Sequence, residues 1–385
     1  MKKIAIIPLR AGSKGIPGKN KKKLLGRPLF SWILGEAIFS NLDEIYIFTD
    51  DKDIIKYVNK NYTWTEKVKV MERSKESATD TASTEYGMVE LAKKLNYNFD
   101  ILCLLQATSP LTTREDINKC LDKIEKEKYD SALTVVNTMR FIWNENGKSI
   151  NYDYNSRPRR QDFKGLLVEN GAVYTTTKEQ FKNSGVRIGG NIAIVKMSED
   201  TLTEIDEKED WVIMEKLIEN RLSKFKKGNP GIKLLVLDVD GVFTEGRVST
   251  GHEREVSKDF SLIDGMGLEI IRAEGVEVIV MTSESSDIVK TRMNKLKLET
   301  YLGVKDKYSF LEKIRQEKGI NRNEIAYIGD DINDLANICS VKWGIVPNNG
   351  VLENKLKADL ILSSKGGNGA IREAVNFILK YNKNI

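Results

Sequence analysis

Residues Lys233–Glu245 read KLLVLDVDGVFTE, an apolar run of strand length that closes on Asp238, Asp240 and a glycine. A strand's period of two sends both carboxylates to one face, and a turn at Gly241 lets them converge. Two acids at a buried strand end cost several kcal/mol of desolvation each unless a cation or hydrogen bonds compensate. The pair therefore predicts a site rather than a structural feature. More than 230 residues precede it, so the stretch marks the first strand of a second domain.

Downstream the pattern continues with VEVIVMTS (276–283), EIAYIGD (324–330) and WGIVP (343–347), alternating with helix-patterned segments. Upstream, strand-length runs recur at 4–8, 45–49, 101–106, 131–136, 172–176 and 192–195. Helical patterns lie at 28–39, 114–127 and 209–222. Alternation of this kind predicts α/β sheets covered on both faces. The polar run SKFKKGNPGIK (223–233) reads as a linker. The expected organisation is two Rossmann-like α/β domains, 1–222 and 232–385, joined by 223–231.

The chain has 385 residues, 30% charged and 40% hydrophobic, with a net charge of +5. That excess is too small to argue for nucleic acid or membrane as a partner. No apolar stretch reaches the roughly 18 residues of a membrane span, and MKKIAIIPLR turns polar too early for a signal peptide. Cys103, Cys120 and Cys339 have no metal-ligand spacing, and are expected to be reduced core residues of a cytoplasmic protein. The only histidine, His252, lies in the polar STGHERE; an exposed position is expected for it. Chemistry must then run on carboxylates, cations and a metal.

Residues 1–35 hold nine cations and no acid. They crowd around IAIIPLRAGSKGIPGKN (4–20), a strand followed by a turn with Gly12, Gly15 and Gly18. Glycines let backbone N–H groups approach a phosphate, and Arg10, Lys14 and Lys19 add charge. The spacing is neither GxxxxGKS/T nor GxGxxG. Gln106 ends a strand in LLQATSPL, at the edge where α/β sheets bind ligands. SRPRRQDF gathers Arg157, Arg159 and Arg160, suited to carboxylate or phosphate.

RAGSKGIPGKN, RSKESATDTAS, LLQATSPL, RPRRQD, ENGAVY and EIDEKEDW together resemble the N-acylneuraminate (CMP-sialic acid) cytidylyltransferases over residues 1–222. The resemblance implies a glycosyltransferase-A-like nucleotidyltransferase sheet. It also implies attack by the anomeric hydroxyl of a nine-carbon 2-keto sugar acid on the α-phosphate of CTP, releasing pyrophosphate. By position, Arg10, Ser13, Lys14, Lys19 and Asn20 would bind the phosphates and ribose, and Arg73 and Ala82 would line the nucleotide pocket. Gln106, Arg159, Arg160 and Asn170 would contact the sugar, and Arg157 matches the family's active-site arginine. The family has Asp-x-Asp where this chain has Glu204-Ile205-Asp206, the implied Mg²⁺ ligands. Those acids also suit the start of the 209–222 helix. A 3-deoxy-manno-octulosonate cytidylyltransferase is the nearest rival.

DVDGVFT, MTSE, Lys307 and GDDINDL, in that order, resemble the haloacid dehalogenase superfamily, most closely the 3-deoxy-octulosonate 8-phosphate phosphatase type. That likeness implies Asp238 as nucleophile forming an aspartyl-phosphate, and Asp240 as general acid and base. Mg²⁺ would sit between Asp238, the carbonyl of Asp240 and Asp330. Thr282, Ser283 and Lys307 would hold phosphoryl oxygens, with Asp331 and Asp334 behind them. The insert 247–259 is long enough only for a hairpin cap. GGNGAIRE (366–373) matches that type's tail and offers Arg372 to a neighbouring subunit.

The expectation is a bifunctional, cytoplasmic, Mg²⁺-dependent enzyme acting on CTP, a nonulosonic acid and an acidic sugar phosphate, with the 9-phosphate as the ester. It would be a homotetramer assembled through the C-terminal domain. The alternatives are a C-terminal domain serving only oligomerisation, or an N-terminal domain that binds CTP as a regulator.

Overall fold

The computed structural model describes residues 1–12, 15–251 and 255–385. Ser13, Lys14 and His252 lie outside them. The strands of the first part are β1 (Lys3–Leu9), the short β2 (Lys23–Leu24) and β3 (Arg27–Pro28), β4 (Glu44–Thr49), β5 (Val68–Glu72), β6 (Ile101–Leu105), β7 (Ser131–Thr138), β8 (Leu166–Thr177) and β9 (Ile192–Met197). Seven of them form one sheet in the order β5-β4-β1-β6-β8-β7-β9. Its pairs are parallel except that β8 runs antiparallel to both β6 and β7.

Central strands of this sheet are apolar on both faces because both are covered. Ala5, Ile7 and Leu9 enter one core, with Ile101, Cys103 and Leu105 beside them. Ile4 and Ile6 enter the other, with Leu102 and Leu104. The helix Arg114–Glu125 begins with a capping box between Thr113 and Asp116 and buries Cys120 on its inner face. All three cysteines are free and buried, as the sequence predicts.

The second part contains β10 (Leu234–Leu237), β11 (Ser249–Thr250), β12 (Glu255–Ser257), β13 (Glu277–Met281), β14 (Glu299–Tyr301), β15 (Ile325–Ile328), β16 (Trp343–Val346) and β17 (Leu360–Ile361). Six form a wholly parallel sheet, β14-β13-β10-β15-β16-β17. β11 and β12 pair as the expected small hairpin. The parallel sheet packs into a core that includes Leu235, Leu237, Val280 and Ile328. Because β10 is central, its C-terminal end delivers Asp238 between the ends of β13 and β15.

The chain divides into two compact units. One comprises Met1–Lys22 and Pro28–Leu217, the other Lys23–Arg27 and Ile218–Ile385. The division falls inside the helix Lys208–Ser223, ahead of the polar run 223–231. Lys23–Arg27, near the start of the chain, belongs to the second unit. No helix among the described residues is long and apolar enough to cross a membrane.

Candidate functional sites

In the first unit a cleft of about 280 Å³ opens at the C-terminal ends of β1, β5 and β6. Arg10, Lys19, Asn20, Arg73, Ala82 and Gln106 all line it, so six positions spread over nearly a hundred residues meet in one place. Asn20 is held by a bond from its amide nitrogen to the carbonyl of Arg10, 3.3 Å. Lys19 Nζ donates to the Ile205 carbonyl at 2.7 Å and reaches Asp206 Oδ1 at 3.1 Å. Arg73 stacks over Phe48 at 5.6 Å and donates to the hydroxyl and carbonyl of Ser77. Burial lowers its pKa, with Asp50 and Glu90 opposing. Asp80, inside the same RSKESATDTAS stretch, also lines the cleft and pairs with Arg10.

Glu204 and Asp206 lie beside this cleft through Lys19. Burial, then the Asp206 charge, pushes the Glu204 carboxyl up, with Lys19 opposing. A side chain at Gly171 would put its Cβ 2.2 Å from Glu204 Oε1, so the glycine of ENGAVY makes room for that acid. The helix-start reading of the acidic run also has support: Asp210 accepts from the backbone N–H groups of Asp206 and Glu207.

The structure does not bring the remaining predicted residues to the cleft. Asn170 is fully buried. It accepts from Thr134 Oγ1 at 2.8 Å and donates to Thr201 Oγ1 at 3.1 Å, a core polar link with no face left for a sugar. Arg157, Arg159 and Arg160 are exposed on a separate segment. Arg157 stacks over Phe141 at 4.4 Å, and Arg159 pairs with Asp162 at 2.8 Å.

In the second unit Asp238, Asp330 and Asp334 offer carboxylate oxygens within 4.8 Å of one another. Lys307 Nζ lies 2.7 Å from both Asp238 Oδ2 and Asp334 Oδ1, and its side chain is wholly buried. Tyr327 donates to Asp334 Oδ1 at 2.6 Å. Burial, then Asp334, pushes the Asp238 carboxyl well above the ordinary range, with Lys307 opposing. The same causes push Asp330 up to about 7. Burial works against charge on Lys307, but Asp238 and Asp334 outweigh it and raise its pKa.

One buried cation against three acids leaves an excess of negative charge that a divalent ion can neutralise. An all-oxygen donor set suits Mg²⁺, so these residues fit that ion. Gly241, at φ +80°, is required here because a Cβ would fall 1.9 Å from Asp330 Oδ2. At the end of β13, Thr282 is buried. The next residue, Ser283, donates to the Val304 carbonyl and accepts from Asn333 at 2.9 Å. Asp331 and Asp334 form the capping box of a short turn. Asp240 turns to Lys258, 2.8 Å away, which also reaches Glu255 at 3.3 Å. A cavity of about 530 Å³ lies on this side, lined among others by Glu245, Arg247, Lys258 and Asp259. Arg372 is not drawn to the cluster: its backbone N–H donates to Asp264, and its side chain packs along Gly267.

Residues 4–219 match the cytidylyltransferase family model. The chain belongs to that family. It is 32% identical to the N-acylneuraminate cytidylyltransferase of Oncorhynchus mykiss over 98% of this chain and 89% of the relative. Residues 269–373 match the haloacid dehalogenase-like hydrolase model. The second part is 30% identical to the 3-deoxy-D-manno-octulosonate 8-phosphate phosphatase of Haemophilus influenzae, over 39% of this chain and 83% of that one. A solved structure of the Moraxella catarrhalis phosphatase, with magnesium, phosphate and KDO, is 34% identical over 43% of this chain and 94% of that one, with a TM-score of 0.39. Both family resemblances drawn from the motifs therefore hold. The motifs leave out Lys258 and Tyr327, and Asp80 stands inside one of them without a role. Tyr327 had one signal, a hydroxyl-bearing residue inside an otherwise apolar strand two positions before Gly329.

Proposed function

We propose that the chain is a bifunctional enzyme of nonulosonate activation, with residues 1–222 transferring CMP and residues 232–385 hydrolysing a sugar-acid phosphate. In the first reaction the anomeric hydroxyl of a sialic-acid-like sugar bonds to the α-phosphorus of CTP, loses its proton, and pyrophosphate leaves. Arg10, Lys19 and Arg73 neutralise the triphosphate, and Gln106 faces the sugar. Their convergence on one cleft supports this reading. Ser13 and Lys14, neighbours of Arg10 in the sequence, are proposed to bind the phosphates with them. Arg157, Arg159 and Arg160, exposed on a segment apart from the cleft, would have to be brought over it to meet the substrate carboxylate, and Glu204 and Asp206 would hold Mg²⁺. Such transfer depends on positioning and charge neutralisation more than on covalent chemistry.

The observation that carries the hydrolytic reading is the three-acid cluster bridged by Lys307. Asp238 Oδ attacks phosphorus and Asp240 gives its proton to the departing sugar oxygen. Asp240 then takes a proton from the water that cleaves the aspartyl-phosphate. Lys307, Thr282 and Ser283 hold phosphoryl oxygens. Mg²⁺ bound by Asp238, Asp330 and the Asp240 carbonyl would neutralise charge that the lysine alone does not. The nonulosonate 9-phosphate is the proposed ester, so that hydrolysis supplies the acceptor for transfer.

The enzyme is proposed to act in the cytoplasm, which three buried free thiols support. A homotetramer through the C-terminal part is supported by exposed Leu262, Ile263 and Met266 on the helix Leu262–Ala273. One observation favours a second reading, an oligomerisation module without activity: a relative matching nearly the whole chain is named for cytidylyl transfer alone. A panel of nonulosonic acids with CTP and Mg²⁺, followed by pyrophosphate release, tests the transfer. Phosphate release from a nonulosonate 9-phosphate, lost in Asp238→Asn, tests the hydrolysis. No release from any acidic sugar phosphate selects the second reading.

A further inference from the structure

Lys307 is the first residue of the helix Lys307–Lys318, and Asp306 stands at its N-cap. An N-cap aspartate ordinarily accepts from the free amides of the first turn; the Asp306 side chain makes no such bond. It is given instead to Arg27, whose Nε lies 2.8 Å from Oδ1 and whose Nη2 lies 3.0 Å from Oδ2. The same Nη2 donates to Ser309 Oγ at 2.8 Å, and the guanidinium covers the Tyr308 ring at 4.5 Å. Both side chains of the pair are at most 3% exposed. Gly26, at φ +79°, lies so close to the Ile332 carbonyl that a Cβ would sit 1.8 Å from its oxygen. Ile332 is in the turn between Asp330 and Asp334. All of these residues belong to the second unit.

We propose that Arg27 is a positioning residue of the hydrolytic site, fixing the helix start that carries Lys307 while Gly26 abuts the turn that carries the acids. The inference rests on the hydrolytic reading above and adds to it a segment from the beginning of the chain. A lysine side chain has four rotatable carbons, so where Nζ falls depends on where its backbone is held. The two-pronged Arg27–Asp306 pair holds it one residue away, and a buried pair that loses one partner leaves an uncompensated charge. Lysine at position 27 could supply the charge but not the fork.

The test uses the full chain with p-nitrophenyl phosphate and Mg²⁺, in variants whose far-UV circular dichroism and elution volume match the unsubstituted chain. Arg27→Gln is expected to lower kcat at least 20-fold and to weaken inhibition by inorganic phosphate at least fivefold. Arg27→Lys is expected to lose less. The double variant Arg27→Gln/Asp306→Asn should lose no more than the worse single one, because both act through one pair. If Arg27→Gln does not fold, Arg27→Lys decides by the same two readings. A folded Arg27 variant with kcat and phosphate inhibition within twofold of the unsubstituted chain overturns the inference, as do losses that multiply in the double variant. If the unsubstituted chain hydrolyses neither p-nitrophenyl phosphate nor a nonulosonate 9-phosphate, the hydrolytic reading itself falls and takes the inference with it.

Discussion

Asp238→Asn is expected to abolish phosphate release while leaving the metal-free protein at least as stable as before. Asp238 interacts with one cation and two acids. With an effective dielectric constant near 20, its attraction to Lys307 at 2.7 Å is about 6 kcal/mol. Its repulsion from Asp330 and Asp334, each within 4.8 Å, is at least about 3.5 kcal/mol apiece. The opposing terms nearly cancel, and the substitution also removes the desolvation of a buried carboxylate. Val239 N–H, which donates to Asp238 Oδ1 at 2.7 Å, keeps its acceptor, and Lys307 keeps Asp334. Against this, the new amide nitrogen faces Lys307 Nζ, a donor–donor contact costing about 1–2 kcal/mol. The expected net change in chelator lies between none and a gain of about 2 kcal/mol. The sign depends on pH. Asp238 has a folded pKa raised above 3.8, so the unsubstituted protein loses stability as pH rises through the folded value. The variant lacks that loss, and its relative stability grows from acid toward neutral pH. Saturating Mg²⁺ reverses the order, because the ion stabilises only the intact acid set. Calorimetry of the full chain at several pH values, with chelator and then with Mg²⁺, measures this. A loss above about 2 kcal/mol in chelator, or the same order of stabilities in both conditions, would refute the charge-crowding argument.

Lys307→Met should act in the opposite sense, destabilising the protein by about 3–5 kcal/mol in chelator and lowering phosphate release at least a thousandfold; calorimetry and phosphate assay check the two. Lys258→Met, which strips Asp240 of its partner 2.8 Å away, should lower kcat for phosphate release about tenfold or more with little change in KM, and steady-state kinetics decide. Glu90 is pushed down to about 2: burial opposes this, but Lys94, Ser77 and Ser74 outweigh it. Its stabilisation is present above the ordinary value of 4.5 and lost as pH falls toward 2. Glu90→Gln should therefore cost about 2–3 kcal/mol at pH 7 and well under about 1 kcal/mol at pH 2, as urea unfolding at the two pH values would record.

Buried parallel strands were the most legible part of the sequence, because both faces of β1, β6, β10 and β15 are apolar and leave unbroken runs. The edge strand β5, with Lys69 among half-exposed neighbours, and the three-residue β14 lack that signal. Asp238, Asp330 and Asp334 announced themselves as acids after apolar strands. Lys307 stands out only by its place in order between the strand-end hydroxyls and the distal acids, since a lysine that opens a helix has no distinguishing pattern of its own. The motif ENGAVY points to Asn170 as a sugar contact, whereas the fold uses it to satisfy Thr134 and Thr201 inside the core. Lys258 stood in an ordinary polar insert, and nothing local shows that its side chain turns inward to Asp240.

The pairing of Arg27 with Asp306 spans 279 residues. At a translation rate of about 5–20 residues per second, that separation keeps the arginine waiting roughly 14–56 s for its carboxylate to be made. During that interval β1 and the strands around it can already assemble, while Lys23–Arg27 must stay uncommitted. The last stage of folding then draws an early segment into a late-made unit, so a ribosome stalled or a chain cut before residue 306 would leave a solvated arginine where the finished molecule has a buried one.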